Sequence, residues 1–193
     1  MLVLASASPR RRELLSGLGV PFEVRPADVP EVRRPGEEPA RFAARLAREK
    51  ATAVARPGEW VLGADTIVVV DEEILGKPAD AADARRMLAL LSGRAHHVLT
   101  AVALIGPGGE LAGELVGDTV VEFRDLTGEE IADYVAGGEP MDKAGAYAIQ
   151  GGAGRFVRRT EGSYSNVVGL PVEEVAELLA RCGLRAAARS TSA

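Results

Sequence analysis

The chain has 193 residues, enough for one domain with a buried core that needs no disulfide or structural metal. Its 47% hydrophobic and 26% charged residues exclude a disordered or fibrous chain, and 4% aromatics argue against a stacking platform for single-stranded nucleic acid. A formal charge of −5 argues against a broad nucleic-acid face while permitting a local basic pocket, and a lone Cys182 excludes a cysteine zinc site.

Taken in chain order, Leu2–Ser6 reads as a buried strand and Ser8-Pro9 as the cap and first residue of a helix with Leu14, Leu15 and Leu18 inward. The four-residue apolar opening is too short for a signal peptide and no run approaches a membrane span, so a soluble cytoplasmic protein is expected. A short strand in PFEVRP precedes an aperiodic loop over Ala27–Pro39. Ala40–Ala55 has Phe42, Leu46, Ala53 and Val54 at helical spacing. Trp60–Val70 is a β-rich run followed by an acidic turn and LGKP. Asp80 caps a helix ending at Ser92-Gly93, and two strand-like runs, HVLTAVALI and ELVGDTVVEF, flank the hairpin signal PGGE. Thr127 opens a capping-box helix to Ala136. A small-residue stretch, AGAYAIQGGAG, leads to a strand in RFVRRTEGS and a closing helix over Pro171–Cys182. The expected fold is α/β, a mixed twisted sheet with flanking helices, in one domain over 1–184 with a disordered tail over 185–193.

Three segments carry chemistry. Arg10, Arg11 and Arg12 crowd the first turn of a helix, where cations are unfavourable by about 0.3–1 kcal/mol each. An anion held by Ser8, free amides and guanidiniums would account for that; so would a solvated basic patch reaching the acidic loop. Asp65, in the middle of an apolar strand, either opens into a cleft beside a cation or metal, or is turned to solvent by a bulge at Gly63. Twenty of 23 cations are arginine, so Lys50, Lys77 and Lys143 stand out as places where a compact ammonium is wanted. No Walker loop, GxGxxG, HExxH or GxSxG is present. Carboxylates (Glu31, Asp65, Asp142) with these cations suit hard-metal phosphoryl chemistry.

LASASPRR, LAREKA, LGADTIVV, GKP, MLALLSGRAH, TAVAL, EPMDKAGAYAIQG and GSYSNVVGLP follow in order from Leu4 to Pro171. Together they resemble the Maf family, regarded as nucleoside triphosphate pyrophosphatases. The resemblance implies two lobes around a central cleft, similar to inosine-triphosphate pyrophosphatases, and hydrolysis between the α- and β-phosphates with Mg²⁺ or Mn²⁺. It makes Asp65 the proton acceptor, associates Arg10, Thr66 and Gln150 with substrate choice, and points to the dTTP/UTP branch and a homodimer. In the mechanism this suggests, Glu31 and Asp65 carry the ion, and Ser8, Arg10 and Arg11 stabilise the phosphates. Lys50 and Lys77 neutralise departing pyrophosphate. Gln150 either pairs with a pyrimidine edge or fixes its loop, and Asp142–Lys143 is read as an internal ion pair. The rival functions are a nucleotide-binding regulator of cell division without turnover and a phosphatase releasing orthophosphate.

Overall fold

The computed structural model describes residues 1–186, so most of the expected tail, 187–193, lies outside the described residues. Seven strands form one mixed sheet in the order β2-β1-β3-β5-β6-β7, with β4 paired to β3. They are β1 (Leu2–Leu4), β2 (Phe22–Val24), β3 (Trp60–Val70), β4 (Glu73–Leu75), β5 (Ala95–Ile105), β6 (Leu111–Phe123) and β7 (Val157–Glu161). The helices are α1 (Pro9–Gly17), α2 (Pro39–Val54), α3 (Ala81–Leu91), α4 (Gly128–Ala136), α5 (Tyr164–Val168) and α6 (Val172–Arg181). Only β1 pairs in parallel, with β2 and β3; the other pairings are antiparallel. Among the described residues no helix is long and apolar enough to cross a membrane.

The caps fall where side-chain chemistry predicts them. Ser8 accepts the amide of Arg11, Asp80 that of Asp83, and Thr127 with Glu130 forms a complete capping box. Several expectations need correction. The first strand stops at Leu4, because the chain must leave the sheet to reach the Ser8 cap. Ala53 is exposed; the face of α2 that packs is Phe42, Ala43, Leu46, Ala47 and Ala51. β4 and α5 were not foreseen, being only three and five residues long, too short for periodicity to mark. β5 and β6 begin earlier than expected because cross-strand pairing continues through Ala95–His96 on one strand and Leu111–Gly113 on the other.

Even-numbered residues of β3 and β5 face one side of the sheet and build two core clusters. Leu62, Ala64, Val102 and Leu104 pack with α1 and α6; Val68, Val70 and Val98 pack with α3 and α4. Between the clusters lie Thr66 and Thr100. The opposite face carries α2, packed on Ile67, Ala101 and Ala103.

A candidate active site in a notch of the sheet edge

Two strands share one edge of β3 and leave a gap between them. β1 pairs with Trp60–Leu62 and β4 with Val68–Val70, so Gly63–Ile67 has no neighbour on that side. Side chains from both faces can therefore border the same opening. A cavity of about 420 Å³ fills it, at the carboxyl end of β1, where open sheets with a strand flanked on both sides commonly bind ligands. Ser8, Arg10, Arg11, Glu31, Lys50, Asp65, Thr66, Lys77 and Gln150, the nine residues singled out from the sequence, all line it. Asp142 and Lys143 line it too and form an ion pair with each other. Five cations against three carboxylates make this wall basic in a chain of net charge −5.

On the α2 side, Lys50 stands between two carboxylates. Its Nζ donates to Asp65 Oδ1 at 2.5 Å and to Glu31 Oε1 at 2.7 Å. Asp65 is 5% exposed and sits in regular register opposite Ala101, with no bulge at Gly63. The glycine has a different purpose: a Cβ there would stand 2.1 Å from Ala47 O and 2.8 Å from Ala51 N. Its absence lets α2 approach β3 closely enough for Lys50 to reach Asp65. Glu31 comes from the long loop. Partial burial pushes its carboxyl up, but the Lys50 hydrogen bond with the charges of Lys50, Lys77 and Arg11 outweighs this and holds it below its usual value.

On the other face the guanidinium of Arg11 is turned inward. Nε donates to Gly169 O at 2.8 Å, Nη1 to Ser6 Oγ at 3.3 Å and Nη2 to Thr66 Oγ1 at 2.9 Å. Burial lowers its pKa, opposed by the charges of Asp65 and Glu31. Three of its five N–H groups are thus taken by protein, leaving two for a ligand. Thr66 Oγ1 lies 2.9 Å from Thr100 Oγ1, which donates to Asn166 O at 2.8 Å. Since Thr100 gives its proton to that carbonyl, Thr66 must donate to Thr100 and can only accept from anything else. Toward a ligand, Thr66 is an acceptor.

The α1 turn also offers less than its sequence suggested. Pro9 has no N–H, and the amide of Arg11 is held by Ser8 Oγ at 3.3 Å. Of the first-turn amides before Arg12, that of Arg10 alone is without a partner among the described residues, and its side chain makes no hydrogen bond to a described residue. Arg12 does not line the cavity. Ser6 was missed as a site residue; it accepts both Ser8 N–H and Arg11 Nη1. It lay in plain view two residues before the cap, but a serine carries no charge to flag it.

A family model described as Maf-like protein matches residues 1–182. The dTTP/UTP pyrophosphatase of Anaeromyxobacter sp. (strain Fw109-5) is 60% identical over 185 residues, covering 94% of this chain and 89% of that protein. That of Geobacter sulfurreducens is 58% identical over 186 residues, covering 94% and 96%. A solved structure of a HAM1 protein from Coxiella burnetii shares 19% identity over 93% of this chain and 98% of that one, with a TM-score of 0.48.

Proposed function

The chain belongs to the Maf family, and from that premise we propose that it is a nucleoside triphosphate pyrophosphatase. It splits dTTP and UTP into nucleoside monophosphate and pyrophosphate within one domain over residues 1–184. The observation that carries the reading is the notch itself: Lys50, Asp65 and Glu31 share one basic cavity with the Ser8–Arg11 turn. A polyphosphate is the ligand for which such a surplus of cations around ionised carboxylates is suited.

Asp65 uses Oδ1 for Lys50, and Oδ2 makes no hydrogen bond to a described residue. That oxygen takes the proton of the water attacking the α-phosphorus, while Lys50 keeps the carboxylate from rotating away. Arg10 and the two remaining N–H groups of Arg11 hold phosphate oxygens, with Ser8 Oγ–H able to donate beside them. Lys77, exposed and without a protein partner among the described residues, neutralises the pyrophosphate as it leaves. The reaction also involves a divalent cation, and the donor set fits one. Among the described residues no three acidic, histidine or cysteine side chains cluster as a self-sufficient metal cage. Glu31 keeps Oε2, and Asp65 Oδ2 has a second lone pair beside the one that takes the proton; two carboxylates with substrate phosphates are a usual Mg²⁺ environment. Asp65 and Glu31 would hold the ion, which when bound would offset charge on the phosphate oxygens. The same reading carries a cytoplasmic location and a homodimer.

Asp65→Asn tests it. The variant is expected to keep the wild-type melting temperature within a few degrees and to release pyrophosphate from dTTP at least about a hundredfold more slowly. Wild-type turnover in that variant removes Asp65 from its role. Calorimetric binding of dTTP by the wild-type protein without product would favour the regulator, and orthophosphate in the chromatogram the phosphatase.

A further inference from the structure

Ala144 and Tyr147–Gln150 line the cavity, with Ala144, Tyr147 and Ile149 packed in the cluster of Val68 and Val98 on the sheet face opposite α2. The Gln150 side chain is exposed and makes no hydrogen bond to a described residue. Alone, it cannot tell uracil or thymine from cytosine. Its amide has a donor on one side and an acceptor on the other, and half a turn exchanges them. Uracil and thymine present O4 as an acceptor where cytosine presents an N4 donor, so a free amide can satisfy either. Discrimination needs groups that cannot turn, such as backbone held from behind.

The backbone here is held from behind at both ends. Ala148 N–H donates to the Tyr134 hydroxyl at 3.2 Å, and that hydroxyl donates to Glu139 Oε1 at 2.7 Å. Both Glu139 oxygens accept Gly152 N–H at 3.1 Å. Tyr134 reaches across from α4, is 6% exposed, and packs edge-on against Phe156 at 5.2 Å between centroids. Gly151 is pressed onto the same carboxylate: a Cβ there would stand 2.2 Å from Glu139 Oε1. Gly151 N–H closes a turn on Ala148 O at 3.0 Å. Between the anchors, Ile149 and Gln150 line the cavity, and their amides make no hydrogen bond to a described residue.

We propose that Tyr134 and Glu139 are positioning residues that set the base preference of the site. They hold Ala148–Gly152 so that Gln150 and the amides beside it present one donor–acceptor pattern to the base of a nucleoside triphosphate. That the base is uracil or thymine rests on the proposed function; that the pair holds the reading loop does not.

The test measures kcat/KM on UTP, dTTP, CTP and GTP for wild type, Tyr134→Phe, Glu139→Gln, Glu139→Ala and Gln150→Ala, with melting temperatures alongside. In Tyr134→Phe the ratio between the wild type's best and worst base falls about tenfold, the size of one net hydrogen bond, and through KM more than kcat. Adding Gln150→Ala to Tyr134→Phe lowers the ratio no further than Gln150→Ala alone. Glu139→Gln, which keeps a carbonyl for Gly152, retains more of the ratio than Glu139→Ala. An unchanged ratio in folded Tyr134→Phe and Glu139→Ala overturns the proposal, as does wild-type protein that treats all four bases alike. Should wild type prefer a base other than uracil or thymine while both variants still relax that preference, the dTTP/UTP reading falls and the positioning role stands.

Discussion

On the α2 side of the cavity, Lys50 bridges two carboxylates, Asp65 at 2.5 Å and Glu31 at 2.7 Å. Deeper on the loop side, His96 Nε2 meets the Tyr147 hydroxyl at 2.8 Å inside a cluster of edge-to-face aromatic rings with Phe123, and both groups are neutral. Burial pushes the His96 imidazole down to about 4 and the Tyr147 hydroxyl well above its ordinary value. The difference follows from where each trio sits. At the open notch, ions can be kept because they balance each other and face a polar cavity; behind the loop, with no opposite charge at hand, burial strips the proton from histidine and keeps it on tyrosine. Ion pairing orders Lys50 between Asp65 and Glu31, while behind the loop a neutral hydrogen bond joins His96 to Tyr147.

Lys50→Met breaks the charged wall most severely. It leaves two carboxylates facing each other without their shared ammonium, and pyrophosphate release from dTTP is expected to fall by about 10²–10³. Lys50→Arg, whose planar fork differs from a compact ammonium, recovers only part of that rate. Equal turnover by Lys50→Met and wild type would separate the triad from catalysis.

The buried His96–Tyr147 pair shows itself in acid. An unfolded chain protonates His96 below its ordinary 6.5, whereas the folded protein does so only near 4. Stability is therefore complete above pH 6.5 and is lost as pH falls toward 4. Between pH 6.5 and 5, above the range of most carboxylates, the loss is about 1.6 kcal/mol. Urea titrations at these two pH values measure it, and His96→Leu should flatten the slope while lowering stability at pH 7. A slope that survives the substitution would assign it to another group.

Gly63→Ala tests how the charged wall is assembled. The new methyl meets the Ala47 carbonyl and pushes α2 from β3, at a cost of about 1–3 kcal/mol in a thermal or urea melt. Because Lys50 moves with α2, activity should fall by more than the melt alone accounts for, even at a temperature where the variant is fully folded. Were stability to fall with turnover intact, the Lys50–Asp65 contact would tolerate the displacement.

Much of this was legible in the chain. Ser8-Pro9, Asp80 and the Thr127 capping box mark helix starts because their side chains satisfy amides within three residues. All nine site candidates line one cavity: six are charged groups that gather where they can pair or face solvent, and Ser8, Thr66 and Gln150 come with the segments that carry them. Their roles were less legible. Arg11 looked like Arg10, yet its guanidinium turns inward to Ser6, Thr66 and Gly169, a residue 158 positions away. Thr66 carries no mark of being an acceptor only, since that follows from a proton passed to Thr100 and on to Asn166. Tyr134 and Glu139 read as an ordinary helix and turn.

Residue type and local spacing settled the helix caps, the alternation of the strands and the short inventory of charged groups, because these depend on neighbours along the chain. The notch, by contrast, exists because β1 ends opposite Leu62 and β4 ends opposite Val68, and the first of these pairings joins segments nearly sixty residues apart. Which proton goes where, and which cation stays free for a ligand, was decided there, since hydrogen bonds are assigned by distance in space and not by order in the sequence.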